Sequence, residues 1–325
     1  MPPPSYLPEP PMHEYIMRRF LLAIPTILLV MIAIFSISRM IPGSAIDSML
    51  QEQQFAENRE ALKKELGLDK PIYLQFITYM GDVLQGDLGD SLLTKRSVGE
   101  ELLRRLPVSF ELGFYAILCG LMISLPIGVL SAIRQDTWAD YVTRSIAILG
   151  VSIPSFYLAT LVVVLPSLWF DFAPPLVYES WRDSPFGHIA YLASPVVILG
   201  VGLAGGVMRM TRTMMLEVLR QDYIRTAWSK GLRERSIIVR HALKNALIPV
   251  VTIVGLQVGL AVGGTVVIEN IFNMPGVGRF FFEAVQNRDY PSIQGVVLVI
   301  AVVIVLTNIA VDLTYAYLDP RIRFR

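Results

Sequence analysis

The stretch Phe20-Leu-Leu-Ala-Ile-Pro-Thr-Ile-Leu-Leu-Val-Met-Ile-Ala-Ile-Phe-Ser-Ile-Ser38 runs for nineteen residues without an Asp, Glu, Lys or Arg. A helix of about 20 such residues crosses a hydrocarbon core roughly 30 Å thick, so this stretch reads as a membrane span. Five more follow: Leu112 to Ile133, Ser145 to Phe170, Ile189 to Met208, Ala246 to Ile268 and Pro291 to Val311, of 22, 26, 20, 23 and 21 residues. The expected fold is therefore an all-α membrane protein with six transmembrane helices. A β-barrel would show short alternating segments instead. The first run is too long for a signal-peptide core and no small-residue cleavage site follows it, so it reads as an uncleaved anchor.

Composition agrees. The 325 residues are 54% hydrophobic and 17% charged, against about 25% charged in ordinary soluble domains. A net charge of +1 gives no reason to expect nucleic acid as a partner. Cys119 is the single cysteine, which excludes an internal disulfide and a cysteine zinc site.

Six spans put both termini on one side. Placing them in the cytoplasm leaves 16 Lys and Arg inside and 12 outside, nine of the latter on the long first connection, where the positive-inside rule loses force. Setting that connection aside, the contrast is 16 to 3 and favours cytoplasmic termini. The chain then divides into a Pro-rich disordered tail (1–15), a first span (16–41), an external helical segment (42–106) and a five-helix core (107–325). In the external segment Gly67 marks a helix end and Pro71 opens a helix with Ile72, Phe76, Tyr79, Met80 and Val83 on one face. Ser97 and Glu100 have capping-box spacing. A structural lid and a docking surface are both open readings of this cap.

Catalytic motifs are missing. No Gly-Lys dipeptide exists to end a phosphate-binding loop, so this chain is not expected to hydrolyse ATP. Gly200-Val-Gly202-Leu-Ala-Gly205 matches the dinucleotide fingerprint by letter but sits within a span, where helix packing is the better reading. His13, His188 and His241 are all outside the apolar runs and too scattered for a zinc protease. The charges Arg39, Glu111, Arg209, Glu269 and Asp312 flank the apolar cores, which weakens a proton-coupled carrier. Gly255, Gly259 and Gly263 recur every four residues on span 5, a face for close helix packing or a lining for a solute pathway. On the packing reading a valine at Gly259 is expected to harm transport, and one at Gly295 to be milder.

Between spans 4 and 5, residues 217–249 carry Leu216, Leu219, Tyr223 and Ala227 at helical spacing, a break at Gly231, and a resumption through Ile237, Ile238, His241 and Ala242. From the residues alone, a basic amphipathic element lying on anionic headgroups is open. However, Glu217-Val-Leu-Arg-Gln-Asp-Tyr-Ile-Arg-Thr-Ala-Trp-Ser-Lys-Gly-Leu232 with His241-Ala-Leu-Lys-Asn-Ala-Leu-Ile-Pro249 closely resembles the EAA loop of ABC importer permeases. The chain is similar, more narrowly, to the dipeptide, oligopeptide and nickel family from about residue 16 onward. Gly86-Asp-Leu-Gly89 and Glu269-Asn-Ile-Phe-Asn-Met-Pro-Gly-Val-Gly-Arg279 with Asn287-Arg-Asp-Tyr-Pro291 agree. Trp228-Ser229 stands where the family usually has Arg-Ala, and the segment from Asp171 to His188 lacks the usual family motif.

The resemblance implies a permease subunit in a bacterial or archaeal plasma membrane, paired with a homologous permease, two ATP-binding subunits and an external solute-binding protein. It implies that ATP and magnesium are bound by those ATPases, with no cofactor, metal or catalytic residue in this chain. Asp222, Tyr223, Arg225, Ala227, Trp228, Lys230 and Gly231 are expected to couple to the ATPase, with Tyr223, Ala227 and Trp228 as apolar anchors. The expected solute is a short peptide; a nickel chelate, an oligosaccharide, or a stand-alone channel or carrier are the alternatives.

Overall fold

A computed structural model describes residues 12–40, 64, 67 and 69–318. The helices, in order, are α1 (Met12–Met40), α2 (Ile72–Leu84), α3 (Val98–Ile133), α4 (Trp138–Ser152), α5 (Ser155–Phe170), α6 (Pro185–Leu219) and α7 (Asp222–Ser229). A single turn, Glu234–Ser236, leads into a π-helical stretch, Ile237–Leu243, and then α8 (Lys244–Ile271), α9 (Val277–Gln286) and α10 (Tyr290–Leu318). Among the described residues no strand occurs beyond an isolated bridge between Asp90 and Ser97. The tail expected over 1–15 lies outside the described residues up to position 11, as does most of the segment from 41 to 68.

Among the described residues, five helical stretches are long and apolar enough to cross a membrane, Met17–Met40, Val98–Ile133, Pro185–Leu219, Glu234–Gly259 and Tyr290–Thr314, and a bent pair of helices taken as one span makes six. The third of the six expected spans is built differently. The uncharged run from Ser145 to Phe170 is not one helix but α4 and α5, which meet at 90°. Pro154 has no N–H to donate and restricts its predecessor to extended backbone, and Ile153 is extended (φ −92°, ψ 119°). Counting charges alone missed this break. The helix of the second run begins at Val98, so the last turns of the 42–106 segment belong to it.

The chain forms two compact units. One comprises residues 1–17, 110–274 and 306–325, with α6 at its centre. Close packing there follows from absent side chains. A Cβ at Gly200 of α6 would lie 3.0 Å from the Ala116 carbonyl oxygen of α3, and one at Gly128 of α3 would lie 2.9 Å from the Met208 carbonyl oxygen of α6. Gly200, the first residue of the false dinucleotide fingerprint, is thus a helix-packing position. Gly255 is another, since its Cβ would fall 2.1 Å from Val311 Cγ2 on α10.

The other unit comprises residues 18–109 and 275–305. On α2, Phe76, Tyr79, Met80 and Val83 share the half-buried face, while Ile72 at the first turn is exposed. Val98 and Leu102 of α3 pack with Val277 and Phe280 of α9 and Val296 of α10. Buried Asp289 pins the preceding loop, accepting from the Ser91 hydroxyl (2.6 Å), the Leu92 N–H (3.0 Å) and the Ser292 hydroxyl (2.7 Å). Gly295 belongs to this packing. Its Cβ would sit 2.6 Å from Val98 Cγ1, so the expectation of a mild valine at that position is corrected.

Candidate functional site

The loop after α6 is built as a short helix with a buried back and an exposed front. Arg220 and Gln221 end the first helix, Gln221 turning to extended backbone (φ −71°, ψ 149°), and α7 starts at Asp222. That break resets the helical phase, so Leu216, Leu219, Tyr223 and Ala227 do not form one continuous stripe. The inward residues of α7 are Ile224, fully buried, and Ala227. They pack with Met215, Ile237, Ala242, Ala246 and Ala132. Ala227, expected as an outward anchor, therefore serves the loop's own core, and Ile224 is the residue that reading a single stripe missed.

Facing outward are Tyr223 (43% exposed) and Trp228 (48%), with Arg225 and Lys230 beside them. Arg225 pairs with Asp222 at 3.3 Å, an exposed contact of small energetic weight. Helix α7 ends in a Schellman motif: the Gly231 N–H donates to the Trp228 carbonyl (2.9 Å) and the Leu232 N–H to that of Ala227 (3.4 Å). Gly231 has φ +70° and no atom within 4 Å of where a Cβ would stand. The turn needs its backbone freedom, not its small size.

The π-helical stretch is fastened to α7 by side chains. Both the Tyr223 hydroxyl (3.4 Å) and Asn245 Nδ2 (3.0 Å) donate to the His241 carbonyl, and Asn245 Nδ2 also lies 2.8 Å from the Tyr223 oxygen. Tyr223 thus has two jobs: its ring is exposed and its hydroxyl fixes the loop.

A charged cluster anchors the helices that carry this loop. Arg212 of α6 grips fully buried Asp140 of α4 with two parallel bonds, Nε to Oδ1 at 2.9 Å and Nη2 to Oδ2 at 2.8 Å. The Ser131 hydroxyl of α3 also donates to Asp140, as does the Asp136 N–H (3.1 Å). No sequence signal joined these residues, because 72 positions separate the two charges.

Of the glycine stripe, Gly255 is closely packed and Gly259 is half-buried. Gly263 lies on the same helix, with its surroundings outside the described residues. Among the described residues no group of three or more His, Cys, Asp or Glu is placed to hold a metal.

Two family models cover this architecture. Residues 124–324 match the binding-protein-dependent transport system inner membrane component, and residues 12–113 match the N-terminal part of the same membrane component. The chain belongs to this family. As an inner membrane component of a binding-protein-dependent transport system, it is a multi-pass membrane protein and a transport component, not an enzyme. The dipeptide transport system permease protein of Alkalihalophilus pseudofirmus is 40% identical, covering 96% of this chain and all of the relative. Its counterpart in Escherichia coli K12 is 38% identical over 97% of this chain and all of the relative. In fold, the chain is similar to a solved structure of the MetNI methionine ABC transporter in an inward-facing conformation, with 20% identity, a TM-score of 0.54, and coverage of 67% of this chain and 96% of that one.

Proposed function

We propose that this chain is one permease subunit of an ATP-driven importer of short peptides, forming half of the pathway with a homologous second permease. Two ATPase subunits bind the ATP and magnesium, an external protein delivers the solute, and both termini lie in the cytoplasm. The names of the relatives support the peptide. The mechanism is a population shift: closure of the ATPases favours one arrangement of the spans, and α7 passes the bias.

The observation that carries the coupling role is the two-sided build of α7. Ile224 and Ala227 lock its back into the loop core, so a force on Tyr223 and Trp228 reaches α6 and α8 without being lost in local bending. Exposed aromatics flanked by Arg225 and Lys230 have the make-up of interface anchors.

The test is ATP hydrolysis by the reconstituted complex, stimulated by peptide-loaded binding protein. Tyr223→Ala with Trp228→Ala is expected to lower the stimulation, each lost aromatic anchor being worth about 2 kcal/mol. Full stimulation in an assembled double variant would overturn the coupling role. Orientation is checked in a Cys119→Ser background: an impermeant thiol reagent added outside is expected to label Gln85→Cys and spare Ser236→Cys. The opposite pattern would reverse the topology.

A further inference from the structure

The unit of residues 18–109 and 275–305 contains a cavity of about 490 Å³, within the size range of small-ligand sites. At its wall stands Arg39, at the end of the first apolar run. Its guanidinium carbon lies 5.2 Å from the centroid of the Phe35 ring and 6.0 Å from that of Tyr290. Among the described residues no carboxylate pairs with it, and its Nε is buried without a hydrogen-bond partner. Ring faces compensate a cation only in part, so this guanidinium has unused capacity for an anion.

Among the described residues, two further donors lining the cavity are unmatched. Gln294, 5% exposed, leaves its Nε2 without a partner, and so does the buried Tyr79 hydroxyl. Burial pushes the Tyr79 phenol up to about 12, so it keeps its proton and remains a donor at neutral pH. Three donors of this kind suit a carboxylate or a phosphate. Asp82, Asp87 and Asp90 bring negative charge to the same cavity, and Lys70 and Lys95 complete a lining of three positive and three negative groups. Asp87 Oδ1 also accepts the Gly89 N–H (2.8 Å), but a simple anion would give Asp82 and Asp90 no partner.

We propose that this cavity binds a zwitterionic group, its anion held by Arg39, Tyr79 and Gln294 and its ammonium by Asp82, Asp87 and Asp90. Such a group has two sources, the termini of a short peptide and the headgroup of phosphatidylethanolamine. The peptide source rests on the function proposed above; the lipid source does not.

The full chain in phosphatidylcholine nanodiscs is titrated with radiolabelled dialanine and with its C-terminal amide. In parallel, phosphatidylethanolamine retained from mixed nanodiscs is measured by native mass spectrometry. Arg39→Gln is expected to weaken the bound species about tenfold, the weight of one charge-assisted contact of about 1.4 kcal/mol. Tyr79→Phe keeps the ring stacked on Phe35 at 6.0 Å and removes only the hydroxyl, so it guards against a misfolded Arg39→Gln chain, and a smaller loss is expected. Binding of dialanine with loss of affinity for the amide assigns the site to peptide; retention of the lipid without peptide binding assigns it to the headgroup. Binding of neither probe, or binding of either that both substitutions leave unchanged, overturns the proposal. Dialanine uptake by the reconstituted complex is measured alongside. Uptake that persists while binding ignores both substitutions removes this site and leaves the proposed function standing.

Discussion

Helix α6 is held at both ends by polar contacts, and the two differ in kind. Near its C-terminus Arg212 makes two parallel bonds to Asp140, with Ser131 and the Asp136 N–H supporting the carboxylate. Near its N-terminus, about 36 Å away along the axis, His188 sits in a ring of softer partners. Its Nδ1 is 2.6 Å from the Glu179 carbonyl and its Nε2 3.1 Å from Glu111 Oε1, with Trp181 donating to the same carboxylate. The Tyr178 and Trp181 rings cover the imidazole, at 5.7 and 4.6 Å between centroids. Both ring nitrogens therefore face oxygen atoms, each through a single contact. The guanidinium end makes two parallel bonds to one carboxylate and so fixes its geometry in two directions at once.

Backbone packing does not follow this division. At the Arg212 end, Gly128 lets α3 approach the Met208 carbonyl and Thr211. At the other end Gly113, two residues from Glu111, has open space where a Cβ would stand. Gly187 of α6, beside His188, is crowded nonetheless: a Cβ there would fall 2.6 Å from Glu179 Cδ and 2.7 Å from Ser184 Oγ.

The sharpest way to break this comparison is Arg212→Ala, which strands a buried carboxylate. A loss of about 2–3 kcal/mol is expected, between the cost of an exposed pair and that of a deeply buried one. Thermal unfolding of the purified chain would read it, and a shift no larger than that of Arg209→Ala would show that the contact is ornamental. Next in size is Gly128→Ala. Its Cβ meets a backbone oxygen at 2.9 Å, which cannot swing away, so an overpacking cost of about 1–3 kcal/mol is expected. The same measurement checks it. Glu111→Gln keeps an acceptor for Trp181 and is expected to cost about 1 kcal/mol, the net worth of a typical hydrogen bond. A loss as large as that of Arg212→Ala would erase the distinction between the ends. Smallest is Gly113→Ala, expected to be neutral or to stabilise by a fraction of the roughly 1 kcal/mol that separates the two residues in helix propensity.

Much of this molecule was legible in residue order because hydrophobic length is a local property. Five apolar runs became single helices, and Gly231 marked its turn because a positive φ selects glycine. The run from Ser145 to Phe170 is bent rather than straight because absence of charge says nothing of Pro154, whose effect is on backbone geometry. At the candidate site, Tyr223 and Trp228 face outward while Ala227 is buried, since a break at Gln221 shifts the phase in a way that spacing alone does not reveal. Arg212 with Asp140, and Gly295 with Val98, stayed hidden for a different reason: both partners are ordinary for their own neighbourhoods, and only the fold brings them together.

The π-helical stretch from Ile237 to Leu243 sets the angular register of everything after it. A π-turn carries roughly one residue more than an α-turn, and each residue of an α-helix advances about 100° around the axis. Deleting one residue from this stretch would let it relax to α geometry with α8 close to its present register, whereas forcing all seven residues into α geometry would turn a different face of α8 to its neighbours. Gly255 meets Val311 in the present register. The clearance that glycine provides is thus dialled in by seven residues more than a turn upstream, where nothing in their side chains touches it.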